Sequence, residues 1–260
     1  MSERRTVRLE TDGPVAHVVL DDPDNGNILT LAMAEQLRDA VREIAGMSGI
    51  RCVVLRSEGK RFCVGGDIGA FENAKAGDRI NEVVALPLHE AIETLSRMDP
   101  IVISVVQGAA GGGGCGLALA GDLVVASESA FFRLGYALIG LSPDCGVSWR
   151  FARALGPARA MELYISNDTF NAEQAYDAGL VSRLARPEHL DAAVSETVDK
   201  VLAKSPEALA ATKRLMREAG QRGLAEQLAD EAKTIGDVGD LPNAREGFAA
   251  FLAKRRPEFR

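Results

Sequence analysis

The sequence predicts an α/β protein whose mixed core of short strands and helices gives way to an all-helical C-terminal part. Short valine-rich runs bounded by polar residues or glycine recur through the first three quarters of the chain. Segments with apolar residues at helical spacing separate them. Beyond about residue 190 only helical spacing continues. The expected division is therefore a mixed core over 1–190 and a helical region over 191–260.

Taken in order, "VAHVVLDD" and "RCVVLRS" read as strands, with the helix "TLAMAEQLRDAVREIAG" between them. Leu37, Val41 and Ile44 share one face of that helix, Thr30 is its N-cap and Gly46 closes it. A second helix, roughly Asn81 to Met98, leads into the strand "PIVISVVQG". "DLVVAS" and "AFFRL" are further strands. "GPARAMELYIS" follows as a helix with Pro157 in its first turn. "NAEQAYDAG" has an asparagine N-cap and closes at Gly179. After the strand "LVSRLA", four helices fill roughly Leu190 to Lys254, the second opened by Ser205-Pro206-Glu207. No internal sequence repeat is evident.

Composition narrows the function classes. With 47% apolar and 26% charged residues the chain can build a sizeable core. A net charge of -7 argues against nucleic acid as a partner. No run approaches the ~18 apolar residues of a membrane span. The start, "MSERRTVRLETDG", is too polar for a signal peptide, so a cytoplasmic location is expected. Cys52, Cys63, Cys115 and Cys145 show no CxxC pairing and read as reduced, mostly space-filling thiols. His17, His89 and His189 are scattered and form no metal motif, so no metal is expected.

The unusual stretch is "GAAGGGGCGLALAGD", residues 108–122. Gly111, Gly113 and Gly116 match GxGxxG after a strand, but the motif falls late in the chain and Asp122 follows too soon for a ribose-binding acid. A close-packed turn is a second reading. In the third, bare amides at a helix start near Gly113 hold an oxygen that becomes negative during reaction. Such a hole needs a second donor, and "RFCVGGDIGAF", residues 61–71, is a glycine-bearing turn after another strand that can supply one.

"FCVGGDI", "GAAGGGGCGLALAGDLVVAS" and "FRLGYALIGLSPDCGVSWRFARALGPARAMEL", continuing through "AEQAYDAGLVSRL" to "REGFAAFLAKRRPEF", resemble the enoyl-CoA hydratase/isomerase (crotonase) family over essentially the whole chain. The resemblance implies a crotonase-like spiral of ββα units and a C-terminal helical trimerisation region. It further implies a homotrimer or hexamer, and an acyl-CoA thioester as substrate with no cofactor beyond the coenzyme A that the substrate carries. It puts the oxyanion donors at Gly66 and Gly113. It suggests main-chain contacts to coenzyme A from Asn27, Ile28 and Leu29 and from Asp67 and Ile68, with Gly65 beside them, and contacts from Phe251 and Lys254 of a neighbouring subunit.

The chain departs from the hydratase pattern at both catalytic glutamates. Gly116 stands at one position, and Gly135-Tyr136 aligns with the "PE" pair that carries the other. Hydration needs groups that deprotonate water and protonate carbon. Asp144 in "LSPDCG" is the acidic residue left; as plain turn chemistry it would open the following helix. Some enoyl-CoA isomerases place their carboxylate here, and this block looks particularly like the bacterial isomerase of phenylacetyl-type CoA degradation. One carboxylate suffices for a Δ3-Δ2 shift, with Tyr136 lining or orienting the acyl group. The alternatives are a hydratase or lyase, a weakly catalytic acyl-CoA-binding protein, or an aryl-CoA dehalogenase-type hydrolase using Asp144 as nucleophile. The last would want a histidine, and His89 lies in the right region without clear register.

Overall fold

Strands covered on both faces carry continuous apolar runs, and three of the valine-rich segments build the centre of a sheet on that principle. The computed structural model describes residues 4–73 and 84–260. β2 (Val15–Leu20), β3 (Cys52–Ser57) and β4 (Ile101–Val106) lie side by side and parallel, with β4 buried at every position. β6 (Leu123–Ser127) and β9 (Arg183–Ala185) extend the parallel sheet on one side. β1 (Val7–Asp12) closes the other side antiparallel to β2, Val7 opposite Leu20. The strand order is β1-β2-β3-β4-β6-β9.

A smaller layer sits beyond the C-terminal ends of these strands. β5 (Ala109–Gly111) pairs with β7 (Phe131–Arg133), which pairs with β8 (Phe170–Asn171). Single parallel bridges Leu29–Gly66 and Cys63–Ala110 continue this layer back through earlier turns of the chain. Each turn thus runs large-sheet strand, short inner segment, helix. The helices are α1 (Leu31–Gly46), α2 (Ile68–Glu72), α3 (Leu86–Arg97), α4 (Gly113–Ala118), α5 (Val147–Leu155), α6 (Pro157–Ser166) and α7 (Ala172–Asp177). This is the expected spiral of ββα units. The repeat is one of backbone path, which is why no sequence repeat announces it.

α1 carries Leu37, Val41 and Ile44 into the main core and is capped by Thr30, whose Oγ accepts from the Met33 N–H. Gly46 is its last residue rather than its terminator; Met47 closes the helix in an extended conformation. α7 has a full capping box between Asn171 and Gln174. The helix expected from Asn81 begins at Leu86 among the described residues, and 81–83 lie outside them.

The C-terminal helices are α8 (Leu190–Leu202), α9 (Pro206–Ala219), α10 (Leu224–Gly239) and α11 (Pro242–Leu252). α8 lays Leu190, Val194 and Val201 on Val54, Ile103 and Val125, one face of the large sheet. A division at 190/191 therefore separates α8 from the sheet face it covers, and α9 adds Leu209 to the same cluster. Among the described residues no helix is long and apolar enough to cross a membrane. All four cysteines are buried and unpaired.

Candidate active site

The inner layer exists to bring two bare stretches of main chain together. A Cβ on Gly65 would lie 2.8 Å from the Gly111 carbonyl oxygen, and one on Gly111 would lie 2.9 Å from that of Val64. Any side chain at either position would push the two turns apart. With glycine at both, Gly66 and Gly113 line one cavity of about 410 Å³.

The two amides are free for a ligand. Leu29 donates to the Gly65 carbonyl at 2.8 Å and accepts from the Asp67 N–H at 3.3 Å. In parallel pairing that turns the intervening Gly66 N–H away from Leu29. Gly113 is the first residue of α4, where the N–H has no intrahelical acceptor. Neither N–H has an acceptor among the described residues. Both can donate to one oxygen in a site with largely apolar walls, where such bonds are strong.

Asp144 faces them. A Cβ built on Gly113 would lie 3.5 Å from Asp144 Oδ1, 3.2 Å from Cys145 Sγ and 3.4 Å from Leu29 Cδ1. The residue does not open α5: the N-cap there is Gly146, with no side-chain capping bond. Its Oδ1 instead accepts from the Tyr136 hydroxyl at 2.6 Å. Tyr136 is buried, and burial, then the Asp144 charge, pushes its phenol well above the usual range. It stays a donor and keeps the carboxylate pointed into the cavity. Tyr136 thus lines the cavity, as expected, and also holds Asp144, a contact the sequence does not show. Asn167, itself buried, fixes the preceding turn by accepting from the Gly135 N–H at 2.8 Å.

Behind Asp144 stands His89 of α3. Its Nε2 accepts from the Cys145 N–H at 2.9 Å, which assigns the ring as neutral with its proton on Nδ1. His89, Asp144 and Cys145 each offer a donor atom within 4.8 Å of the others. Nε2 of that cluster is already engaged by the backbone. Cys145 lines the site rather than merely filling space, and its thiol is pushed up by burial and by the Asp144 charge. Sequence reasoning left His89 without a role because its partner lies 56 positions away, on a different turn of the spiral.

Of the expected ligand contacts, Leu29, Gly65 and Ile68 line the cavity with Gly66, Gly113, Tyr136 and Asp144. Asn27 does not: it is fully buried, with its amide donating to the Glu58 and Arg61 carbonyls and its oxygen accepting from the Asp22 N–H. Nor do Ile28 and Asp67, and the Asp67 carboxylate caps α2 through the Ala70 N–H. Phe251 and Lys254 are exposed near the C-terminus and do not reach the cavity of their own chain.

Paired main-chain donors opposite a carboxylate form the kind of site that holds an oxygen while negative charge develops on it. The chain belongs to the enoyl-CoA hydratase/isomerase family, whose model matches residues 10–260. It is 35% identical to a probable enoyl-CoA hydratase of Rhodobacter capsulatus, over 98% of this chain and 97% of that one. It is 32% identical to the 1,2-epoxyphenylacetyl-CoA isomerase of Escherichia coli, over 94% of each. The crystal structure of an enoyl-CoA hydratase from Polaromonas sp. JS666 superposes with a TM-score of 0.92 at 33% identity, covering 98% of this chain and 99% of the other. The protein is therefore an acyl-CoA enzyme with the crotonase fold.

Proposed function

We propose that this enzyme moves a double bond along an enoyl-CoA, the Δ3-Δ2 shift, with Asp144 as its single acid–base group. The observation that carries the reading is that Asp144 supplies the one carboxylate lining the cavity among the described residues. In a 3-enoyl-CoA the carboxylate takes a proton from the α-carbon. The C–H electron pair becomes the new double bond of a dienolate, whose oxygen the Gly66 and Gly113 N–H groups hold. Protonated Asp144 then returns the proton to the γ-carbon, which leaves the 2-enoyl-CoA and the starting carboxylate.

The coenzyme A carried by the substrate is the only non-protein group this reading uses. Main chain at 27–29 and 67–68 is proposed to meet the nucleotide portion, with Phe251 and Lys254 contributed by a neighbouring subunit in a trimer or hexamer. The exposed apolar side chains of Ile235, Phe248, Phe251 and Leu252 support such an assembly. Isomerisation of a 3-enoyl-CoA and hydration of a 2-enoyl-CoA, followed side by side, test the reaction. Asp144→Ala is expected to slow isomerisation roughly 10²- to 10⁴-fold, with hydration negligible in both proteins. Robust hydration that survives the substitution would replace this reading with a hydratase.

A further inference from the structure

Cys145 adopts a backbone conformation that its side chain does not favour. Its φ is 52°, in the left-handed region, where only four non-glycine residues of the described chain lie. The next residue, Gly146, is left-handed as well, with φ 75°. Two successive left-handed residues turn the chain sharply between the 3-10 turn at Tyr136–Ile139 and α5. Asp144 is the residue immediately before that turn, so the direction of its side chain depends on how the Cys145 peptides are held.

They are held from two sides. On one side the Cys145 carbonyl is seated directly on Gly116 of α4: a Cβ there would lie 2.2 Å from the Cys145 oxygen and 2.6 Å from its Cβ. On the other side the Cys145 N–H is taken by His89 Nε2 at 2.9 Å, from a different helix. The position that a hydratase would fill with glutamate is thus the floor on which the Asp144 loop rests.

We infer that His89 is a positioning residue, which with Gly116 clamps the Cys145 backbone in its left-handed conformation and thereby aims Asp144 at the bound acyl group. The ring acts here as a neutral hydrogen-bond acceptor and exchanges no proton with substrate. Without it the Cys145 N–H has no acceptor, the strained turn relaxes, and the carboxylate drifts from the oxyanion donors. The thioester grip of Gly66 and Gly113 is untouched, so the loss falls on kcat and spares KM.

The inference rests on Asp144 being the base, and the experiment separates the two. Isomerisation is followed in the full-length parent, Asp144→Asn, His89→Leu and His89→Gln. Glutamine keeps an acceptor near the place of Nε2 but has no basic ring. His89→Leu is expected to lower kcat roughly tenfold to hundredfold at unchanged KM, and His89→Gln to restore it close to the parent. Full activity in His89→Leu overturns the inference. So does His89→Gln as slow as His89→Leu, since the ring's basicity would then be what matters. If Asp144→Asn remains active, it is the isomerase reading that fails, whatever the histidine variants do.

Discussion

Tyr136 holds Asp144 by one short hydrogen bond, and that bond sets what a lone carboxylate can do. With Oδ1 engaged, the carboxylate is fixed in rotation and presents its remaining lone pairs to the substrate. A hydrogen bond to a charged group contributes about 1.5–3 kcal/mol, or roughly ten- to hundredfold in rate if it is lost in the transition state. We expect Tyr136→Phe to lower kcat by that factor with little change in KM, measured by steady-state isomerisation. Asp144 itself is legible in the sequence, because both glutamates are absent and an acid remains at a plausible place. Its neighbours are less so: His89 and Tyr136 acquire their roles through contacts across the fold. The Asn27 side chain is spent on loop carbonyls, a structural role that the sequence does not announce.

At the scale of elements, α9 is pinned to the spiral by a buried lysine paired with a partly exposed aspartate. Lys213 Nζ lies 2.8 Å from Asp122 Oδ2 and donates to the Leu95 and Pro100 carbonyls. Burial pushes Lys213 down and Asp122 up, each against the pull of the other. Lys213→Met takes the donor from the Leu95 and Pro100 carbonyls and the cation from Asp122, which keeps the Val102 N–H. We expect it to cost about 1–3 kcal/mol in denaturant unfolding, the range for polar groups left without their partner. α9 and α10 are also tied by Asp230, which Arg214 and Arg222 hold down to about 2. A depressed carboxylate contributes stability above its ordinary range near 4 and loses it as pH falls through about 2. The midpoint difference between the parent and Asp230→Asn should therefore be present at pH 7 and vanish toward pH 2. Sequence patterning found the helices with clear faces and caps, α1 and α7 among them. It missed β1, an edge strand that buries only Val7, and α5, whose start lies in the irregular Asp144 turn.

On the whole-molecule scale, the C-terminal helices hold up apolar side chains that the chain itself does not cover. Met216, Leu224, Ile235, Phe251 and Leu252 are each at least three-quarters exposed. Scattered exposed apolar residues are ordinary, but a concentration of them on α9–α11 is what the proposed assembly would cover. Mass photometry is expected to show three or six copies, and Ile235→Glu with Phe251→Glu to reduce that number and weaken coenzyme A binding together. The spiral, the helical end and the family were legible because block order and spacing survive over the whole length. The tight approach of Gly65 to Gly111 was not, since it depends on two turns stacking. The same stacking constrains how this enzyme could change its chemistry. Because the Cys145 peptide occupies the space above Gly116, a glutamate acquired there would displace the loop before it could act on water. Installing a hydratase-type glutamate in this chain would therefore call for reshaping the loop along with the helix.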